Sequence, residues 1–267
     1  MNHATNRQIL LASRPVGAAK LTDFELVETN IPPLREGEVL FRNTLISIDP
    51  YQRNLMGNGS SELPPVDLDT PMQGPTVAVV IESRNPDFAV GEHIQTWSGW
   101  QEFSISDGSD LRKLNADGAP LSTALGVLGH TGITAWFGAT KVHDLKPGST
   151  VIVTGAAGSV GSMAAQLLKM VVCGTIADYS NTNLPQGTNY LPRLITLIHY
   201  RFIDIKAFSI PNHLDRYPEF LAEVTPLVTD GSISYNEDFV DGFENIPQAF
   251  LGLFEGLNRG KLIARVG

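Results

Sequence analysis

The sequence predicts an α/β protein that is β-rich in its first half and helical around a glycine-rich turn in its second half. Two observations support this fold class. Short apolar runs separated by proline and glycine fill residues 8–124, where no helical pattern of normal length is found. Residues 151–161 then join an apolar run to three glycines, and the helix-forming residues 162–170 follow directly.

The β-rich half is predicted from short runs of apolar and β-branched residues. Proline pairs at 32–33 and 64–65 and the glycines near 57–59 separate these runs. Residues 91–100 indicate a further strand that enters a tight aromatic turn. The predicted strands are 9–12, 24–27, 39–48, 77–83 and 102–105.

The second half alternates helical and strand patterns. A helical, small-residue-rich stretch at 125–138 marks a crossover between domains. Pro218 near the start of 217–229 is typical of a first helical turn. Helices are predicted at 162–170, 191–202, 217–229 and 246–255, and strands at 205–210 and 261–266.

Composition and charge restrict the classes of function. A chain of 267 residues with 42% hydrophobic content can bury a sizeable core. A net charge of −9 argues against nucleic acid and against an anionic membrane as the main partner. No apolar run is long enough to span a membrane, and MNHATNRQ lacks the apolar core of a signal peptide, so a cytoplasmic location is expected.

The single cysteine excludes an internal disulfide and any zinc site built from two or more cysteines. Cys173 by itself is typical of a small buried strand residue. The sequence therefore predicts no metal site of the kind that several cysteines form.

The glycine-rich turn has a physical relation to nucleotide binding. Gly155, Gly158 and Gly161 lie between an apolar strand and a helix. Glycines let backbone N–H groups approach a pyrophosphate, and the helix N-terminus adds partial positive charge. A tight turn without a ligand is the alternative interpretation, and the strand-to-helix context favours a nucleotide site.

The segment after this helix departs from a complete nucleotide-binding fold. Residues 162–170 run into Val171, Val172 and Cys173 without a turn-forming residue. Each βαβ unit takes about 30 residues or more, so a complete six-strand nucleotide-binding domain would need roughly a hundred residues or more beyond this helix. Only about 40 residues remain before the helix predicted at 217–229. Most of a doubly wound sheet is therefore missing.

Several motifs in a fixed order resemble one enzyme family. They are LASRP (11–15), SIDPYQR (47–53), SGW (98–100), GVLGHTGITAW (126–136), GAAGSVG (155–161), VCGTIADYSN (172–181), GFENIPQAF (242–250) and GLNRGK (256–261). Together they resemble the zinc-independent double-bond reductases of the medium-chain dehydrogenase/reductase superfamily. The resemblance implies a GroES-like β-rich domain (1–124, with a return at 228–267) and a truncated Rossmann, or doubly wound, nucleotide-binding domain (125–227).

The resemblance also implies an activity. Members of this family transfer a hydride from NADPH to the β-carbon of an α,β-unsaturated aldehyde or ketone, without zinc. The implied partners are NADP(H) and a small-molecule enone or enal substrate, and a homodimer is the assembly that the family commonly forms.

Site residues follow from the same resemblance. Tyr179 would donate a hydrogen bond to the substrate carbonyl, and Tyr51 would line the substrate pocket. The cofactor would be bound at the pyrophosphate by Gly158, Ser159, Val160 and Gly161, at the nicotinamide by Cys173, Gly174, Thr175, Ile176, Ala177, Asp178, Tyr179, Phe208, Ser209 and Ile210, and at a closing loop by Asn258.

The chemistry of the reaction also supports a role for these tyrosines, independently of the resemblance. Hydride addition to an enone moves negative charge onto the carbonyl oxygen, so a hydroxyl donor aimed there stabilises the transition state. Local sequence also allows simpler roles: Tyr179 as a loop aromatic, Tyr51 as a packing residue, Asn258 as a helix cap and His130 as a structural histidine.

The shortened segment leaves two arrangements open. Residues 171–176 either keep a place beside the nicotinamide or occupy the vacant position of the second strand. In the second case Asp178 would approach a ribose 2′-hydroxyl and disfavour NADPH. The residues that contact the 2′-phosphate in the family have no counterpart here, so weakened cofactor binding is expected.

The loss of neighbouring strands has a further consequence. It predicts exposure of Val151 to Val153 and of the apolar side of helix 162–170, and hence either low stability or burial of that surface against another copy of the chain. A non-catalytic deletion product or pseudo-enzyme and a quinone reductase are the alternative functions.

Overall fold

A computed structural model describes residues 5–57, 64–115, 118–142, 153, 155–167 and 208–266. Predictions that concern residues 168–207 lie outside this part of the chain. They include the helix at 191–202, the strand at 171–176 and all site residues from Cys173 to Tyr179.

The first half of the described chain forms two antiparallel arrangements of strands. Strands β1 (Thr5–Leu11) and β2 (Phe24–Asn30) form a hairpin. A larger sheet also contains two strands from the C-terminal residues, β8 (Glu237–Asp241) and β9 (Lys261–Arg265). Its order is β7-β5-β4-β3-β9-β8, with β6 also paired to β3. Its strands from this half are β3 (Val39–Ile48), β4 (Thr76–Ser83), β5 (His93–Thr96), β6 (Phe103–Ser106) and β7 (Arg112–Leu114).

Strand β3 is the centre of the larger sheet because it pairs with β4, β6 and β9. Its register against β4 shifts between Leu40 and Phe41 and again between Asn43 and Leu45. Such bulges increase the local twist, and the twist allows a long strand to pair with several neighbouring strands. Apolar residues at the end of β3 pack with Trp100 and Phe250 in one buried core.

The C-terminal residues return to this sheet. Strand β8 (Glu237–Asp241) runs parallel to β9 (Lys261–Arg265), and the helix Ile246–Leu253 connects them. Strand β9 then pairs antiparallel with β3, with Ser47 opposite Ile263. The end of the chain is therefore joined directly to the strand that precedes Tyr51.

Three helices pack together beside the sheet. They are α2 (His130–Thr140), α3 (Ser159–Leu167) and α4 (Tyr217–Thr229). In chain order, the short helix Gln52–Leu55 is α1 and Ile246–Leu253 is α5. Trp136 and Phe220 lie at the centre of the helical core, and the indole N–H of Trp136 donates to Glu223 Oε2 at 2.6 Å.

Most predicted elements agree with this architecture, and helix α4 has the predicted bounds. The end of the strand predicted at 205–210 is wrong, because residues 208–209 are irregular and Ile210–Arg216 is a 3-10 helix. Pro211 has no backbone N–H to give to a strand ladder. Strands β7 and β8 and helix α1 were not predicted.

The predicted exposure of the helix after the glycine-rich turn is also wrong for its described residues. Met163 and Ala164 on α3 are 2% and 1% exposed and lie in the core formed with α2 and α4. Neighbouring helices therefore cover the apolar side of α3. No helix in the described part of the chain is long and apolar enough to cross a membrane.

Candidate functional site

The glycine-rich turn leads directly into α3. The Gly158 N–H donates to Gly155 O at 2.9 Å, and the Ser162 N–H donates to Gly158 O at 2.9 Å. A Cβ on Gly161 would lie 2.2 Å from Gly155 O, so only glycine permits this close approach. Because residues 155–157 are exposed, the turn presents an open helix N-terminus, which suits a pyrophosphate.

Two contacts attach this turn to the rest of the protein. The Ser159 hydroxyl bonds to the Thr131 hydroxyl at 2.8 Å, which joins the start of α3 to the start of α2. On the other side, the Gly260 N–H donates to Ala157 O at 3.0 Å. The Asn258 amide in turn donates to Gly260 O at 3.0 Å. Asn258 therefore lies beside the turn, although its own side chain stabilises the 258–260 loop.

Three aromatic rings meet at the start of α2 and form what we call the aromatic cluster: Tyr51, Trp97 and His130. The ring centres of Tyr51 and Trp97 are 6.3 Å apart, and those of Tyr51 and His130 are 6.1 Å apart. Trp97 meets His130 edge-to-face at 5.7 Å. Because His130 precedes Thr131, the aromatic cluster adjoins the contact with the glycine-rich turn.

A tight turn after β5 holds Trp97 in the aromatic cluster. Gly99 has φ +75°, and a Cβ there would lie 2.2 Å from Met72 O. The Ser98 hydroxyl bonds to Thr76 at 2.8 Å and to Asn43 at 3.0 Å. With its neighbours fixed in this way, Trp97 remains 43% exposed, so one side of the aromatic cluster is open to solvent.

The Tyr51 hydroxyl is buried and has no hydrogen-bond partner within the described part of the chain. Buried hydroxyl groups are normally paired, because an unpaired one loses its bonds to water without replacement. Burial, together with the nearby carboxylate of Asp49, raises the pKa of Tyr51 well above its ordinary value. The phenol therefore keeps its proton and remains a free donor.

A buried ion pair lies at the end of β3, next to the aromatic cluster. Lys261 Nζ lies 2.7 Å from Asp49 Oδ1, and the two side chains are 3% and 9% exposed. The same ammonium donates to the carbonyls of Ile48 and Leu262, each at 3.2 Å. The Ser47 hydroxyl also bonds to Asp49. These bonds fix the end of β3 just before Tyr51.

The His130 imidazole is held in its neutral form. Burial is the main cause that lowers its pKa, and the charge of Lys261 adds to this effect. The carboxylate of Asp49 opposes both. Since a neutral imidazole keeps one N–H, His130 can donate a hydrogen bond at neutral pH.

A small cavity of about 10 Å³ separates α3 from β8 and β9, and Glu237 is among its polar lining residues. This volume is about the space that one water molecule needs. Glu237 Oε1 is buried and has no hydrogen-bond partner among the described residues, and burial raises the pKa of this carboxyl. The lining residues are Val127, Ser159, Ser162, Met163, Tyr235, Asn236, Glu237 and Lys261.

The predicted site residues fall into two groups. Gly158, Ser159, Val160, Gly161 and Asn258 lie at or beside the glycine-rich turn, and Tyr51 lies in the neighbouring aromatic cluster. Phe208 instead contacts Phe137 near the end of α2, and Ile210 is buried in the helical core. Ser209 lies between them, and the nicotinamide role of these three residues stays a prediction.

Sequence reasoning did not place Trp97, His130 or Lys261 in the site. The aromatic turn at 91–100 was a usable signal for Trp97. The sequence gives no such signal for Lys261, because its partner Asp49 is 212 positions away in the chain. Among the described residues, no group of three or more His, Cys, Asp or Glu side chains is placed to hold a metal ion.

Comparison with known proteins identifies the family. Residues 7–114 match the family described as the N-terminal domain of oxidoreductase. The chain is 32% identical to the NADPH-dependent curcumin reductase of Escherichia coli, over 98% of this chain and 97% of that protein. The chain belongs to the zinc-independent double-bond reductases of the medium-chain dehydrogenase/reductase superfamily.

Other members of this reductase family are similarly close. Prostaglandin reductase 1 of Bos taurus is 29% identical, over 94% of this chain and 96% of that protein. The crystal structure of CurA from Vibrio vulnificus has a TM-score of 0.89 at 32% identity, covering 98% of this chain and 99% of that chain. Its complex with NADPH has a TM-score of 0.87 at 30% identity, with the same coverage. The predicted GroES-like and truncated Rossmann fold class is confirmed.

The chain is nevertheless shorter than its reductase relatives. The alignment with the Escherichia coli protein extends over 334 positions, whereas this chain has 267 residues. At least 67 aligned positions, the difference between these lengths, therefore have no residue here. The expected internal deletion is confirmed, while the domain boundaries at 124 and 227 stay predictions.

Proposed function

We propose that this protein uses NADPH to reduce the conjugated C=C bond of α,β-unsaturated aldehydes and ketones. The observation that carries the proposal is the contact between two sites. Ser159, at the glycine-rich turn, bonds to Thr131 at 2.8 Å, next to His130 of the aromatic cluster. The similarity to an NADPH-dependent curcumin reductase over almost the whole chain supports it.

The described residues fit the phosphate part of the cofactor. The exposed turn at 155–157 offers backbone N–H groups, and Gly161 keeps the turn tight where a Cβ would collide with Gly155 O. When bound, NADPH would supply the hydride that adds to the β-carbon of the substrate. The turn would anchor the pyrophosphate, and Asn258 would hold the adjoining loop.

The aromatic cluster fits a small conjugated carbonyl compound. Tyr51, Trp97 and His130 offer ring surfaces to a planar, apolar substrate, and the Tyr51 hydroxyl supplies a polar group. The open side at Trp97 provides a path for substrate entry. The side chains therefore combine apolar contact with polarisation of a carbonyl group.

Cofactor titration is the first test of the proposal. NADPH and NADH are titrated separately into the purified protein, and nicotinamide fluorescence is followed. Saturable binding that favours NADPH is expected, with Gly161→Ala as the variant that weakens it. The same protein is then assayed for NADPH oxidation with 2-alkenals, aryl enones and quinones.

The outcomes separate the alternative functions. Turnover of enals and enones above quinones supports the proposed reductase, and the reverse order indicates a quinone reductase. If neither nucleotide binds saturably, the proposal is refuted and the deletion product is non-catalytic. Urea denaturation of each variant shows whether a loss of binding is merely a loss of folding.

A further inference from the structure

The aromatic cluster contains a buried hydrogen-bond donor without a partner among the described residues. The Tyr51 hydroxyl is buried and forms no hydrogen bond with any residue that the structure describes. It does not use the His130 imidazole as an acceptor, although the two ring centres are 6.1 Å apart. An unpaired buried donor in a native structure indicates a missing acceptor, such as a ligand oxygen.

His130 provides a second donor at the same place. Its ring contacts both Tyr51 and Trp97, and its nitrogens form no hydrogen bond with any residue that the structure describes. The neighbouring charged groups are Asp49, at the end of β3, and Lys261, at the start of β9. These two are paired with each other at 2.7 Å, so neither is the natural partner of the imidazole.

We propose that the Tyr51 hydroxyl and the His130 N–H together bind the substrate carbonyl oxygen and stabilise the enolate as hydride adds to the β-carbon. The assignment rests on the proposed function, since it needs a conjugated carbonyl substrate. It makes His130 a catalytic residue, where the sequence favoured a structural histidine. It also gives Tyr51 the donor role that the resemblance assigned to Tyr179.

The reaction balances when water, the only reactant besides the substrate and NADPH, supplies one proton. The hydride pair from NADPH forms the new C–H bond at the β-carbon, and the π electrons of the C=C bond move toward the carbonyl oxygen. Both donors hold this oxygen while the charge is on it. A proton from water then reaches the α-carbon, and the carbonyl is restored. Both side chains keep their protons throughout.

A neutral imidazole suits this role. An imidazolium would already carry a full positive charge before the reaction begins. The N–H of a neutral imidazole instead binds the ground-state carbonyl weakly and the developing oxyanion more strongly. Neutral histidine acts as the electrophile in this way in triosephosphate isomerase. Burial and Lys261 both favour the neutral form here.

The test uses 4-nitrophenol as a probe, which needs no cofactor. Its phenolate is an oxyanion with a distinct visible absorbance, and 4-nitroanisole is a matched ligand that cannot ionise. We expect the wild-type protein to bind the phenolate in preference to the phenol, and hence to lower the apparent pKa of the bound probe. Competition with 4-nitroanisole measures the affinity of the pocket for a neutral ring.

Substitutions then separate the donors from simple packing. Tyr51→Phe and His130→Met are each expected to weaken phenolate binding about tenfold or more, while 4-nitroanisole binding stays within about threefold. His130→Gln keeps an N–H donor and should retain more phenolate binding than His130→Met. Tyr217→Phe is the matched control, because the Tyr217 hydroxyl is already bonded to Leu128 O at 2.6 Å.

Turnover gives a second readout wherever the enzyme is active. Loss of one oxyanion donor should lower kcat on the order of a hundredfold with little change in KM. Tyr179→Phe should change kcat less than Tyr51→Phe does. The inference is overturned if the wild type does not favour the phenolate, or if Tyr51→Phe and His130→Met bind it as the wild type does. A protein that binds the phenolate but not NADPH would refute the proposed function and leave the oxyanion site standing.

Discussion

Replacing Lys261 with methionine should destabilise the protein strongly. The side chain is 3% exposed, and its ammonium has three acceptors: Asp49 Oδ1 at 2.7 Å and two backbone carbonyls at 3.2 Å. Methionine fills a similar volume but leaves the Asp49 carboxylate buried without its cation. Removing one partner of a buried ion pair costs about 3 to 5 kcal/mol.

Urea denaturation followed by tryptophan fluorescence measures this loss. With a slope of about 2 to 3 kcal/mol per molar urea, the midpoint should fall by roughly 1 to 2.5 M. The matched control is Lys113→Met, whose partner Glu92 lies at a similar distance of 2.8 Å but whose side chain is 50% exposed. Water screens that exposed pair, so only a small shift is expected. Equal midpoints for the two variants would refute the assignment of Lys261 as a buried structural cation.

Three other changes test separate parts of the structure. Gly161→Ala should reduce NADPH affinity about tenfold or more and also lower the urea midpoint, because its Cβ would lie 2.2 Å from Gly155 O; unchanged affinity would contradict the pyrophosphate role. Trp136→Phe should cost about 1 to 3 kcal/mol of stability by removing the 2.6 Å bond to Glu223, and a neutral effect would show that this bond contributes nothing. Burial raises the pKa of Glu237, so the stability that its protonated form contributes is complete below its ordinary value and is lost as pH rises through the raised one. Glu237→Gln should therefore gain stability relative to the wild type on going from about pH 4 to about pH 7, and a gain in the opposite direction would contradict the burial of this carboxyl.

Local patterns were sufficient for the elements whose signals lie within one segment. Helix α4 was predicted with its observed bounds because Pro218 and the apolar periodicity both lie inside it. The glycine-rich turn and α3 were predicted for the same reason, although α3 begins at Ser159, three residues before the predicted start at 162. Strand β8, with the sequence EDFVD, was missed because a half-buried edge strand can carry many polar residues.

The aromatic cluster could not be predicted in the same way. Tyr51, Trp97 and His130 come from three separate segments, and only the folded sheet brings them together. The start of α2 was placed early, at residue 125, because the small apolar residues before His130 look helical. They form a 3-10 helix, Leu121–Leu125, and a turn. Their conformation depends on packing against the sheet, and the pattern of apolar residues in the sequence does not indicate that packing.

Residues 258–261 contact both halves of the site. The Gly260 N–H reaches Ala157 O at the glycine-rich turn, and the next residue, Lys261, holds Asp49 just before Tyr51. Any ligand that orders this four-residue segment lowers the entropic cost of ordering it for the other ligand. By thermodynamic reciprocity, nucleotide and carbonyl ligand should then bind with positive cooperativity, each raising the affinity of the other by the same factor.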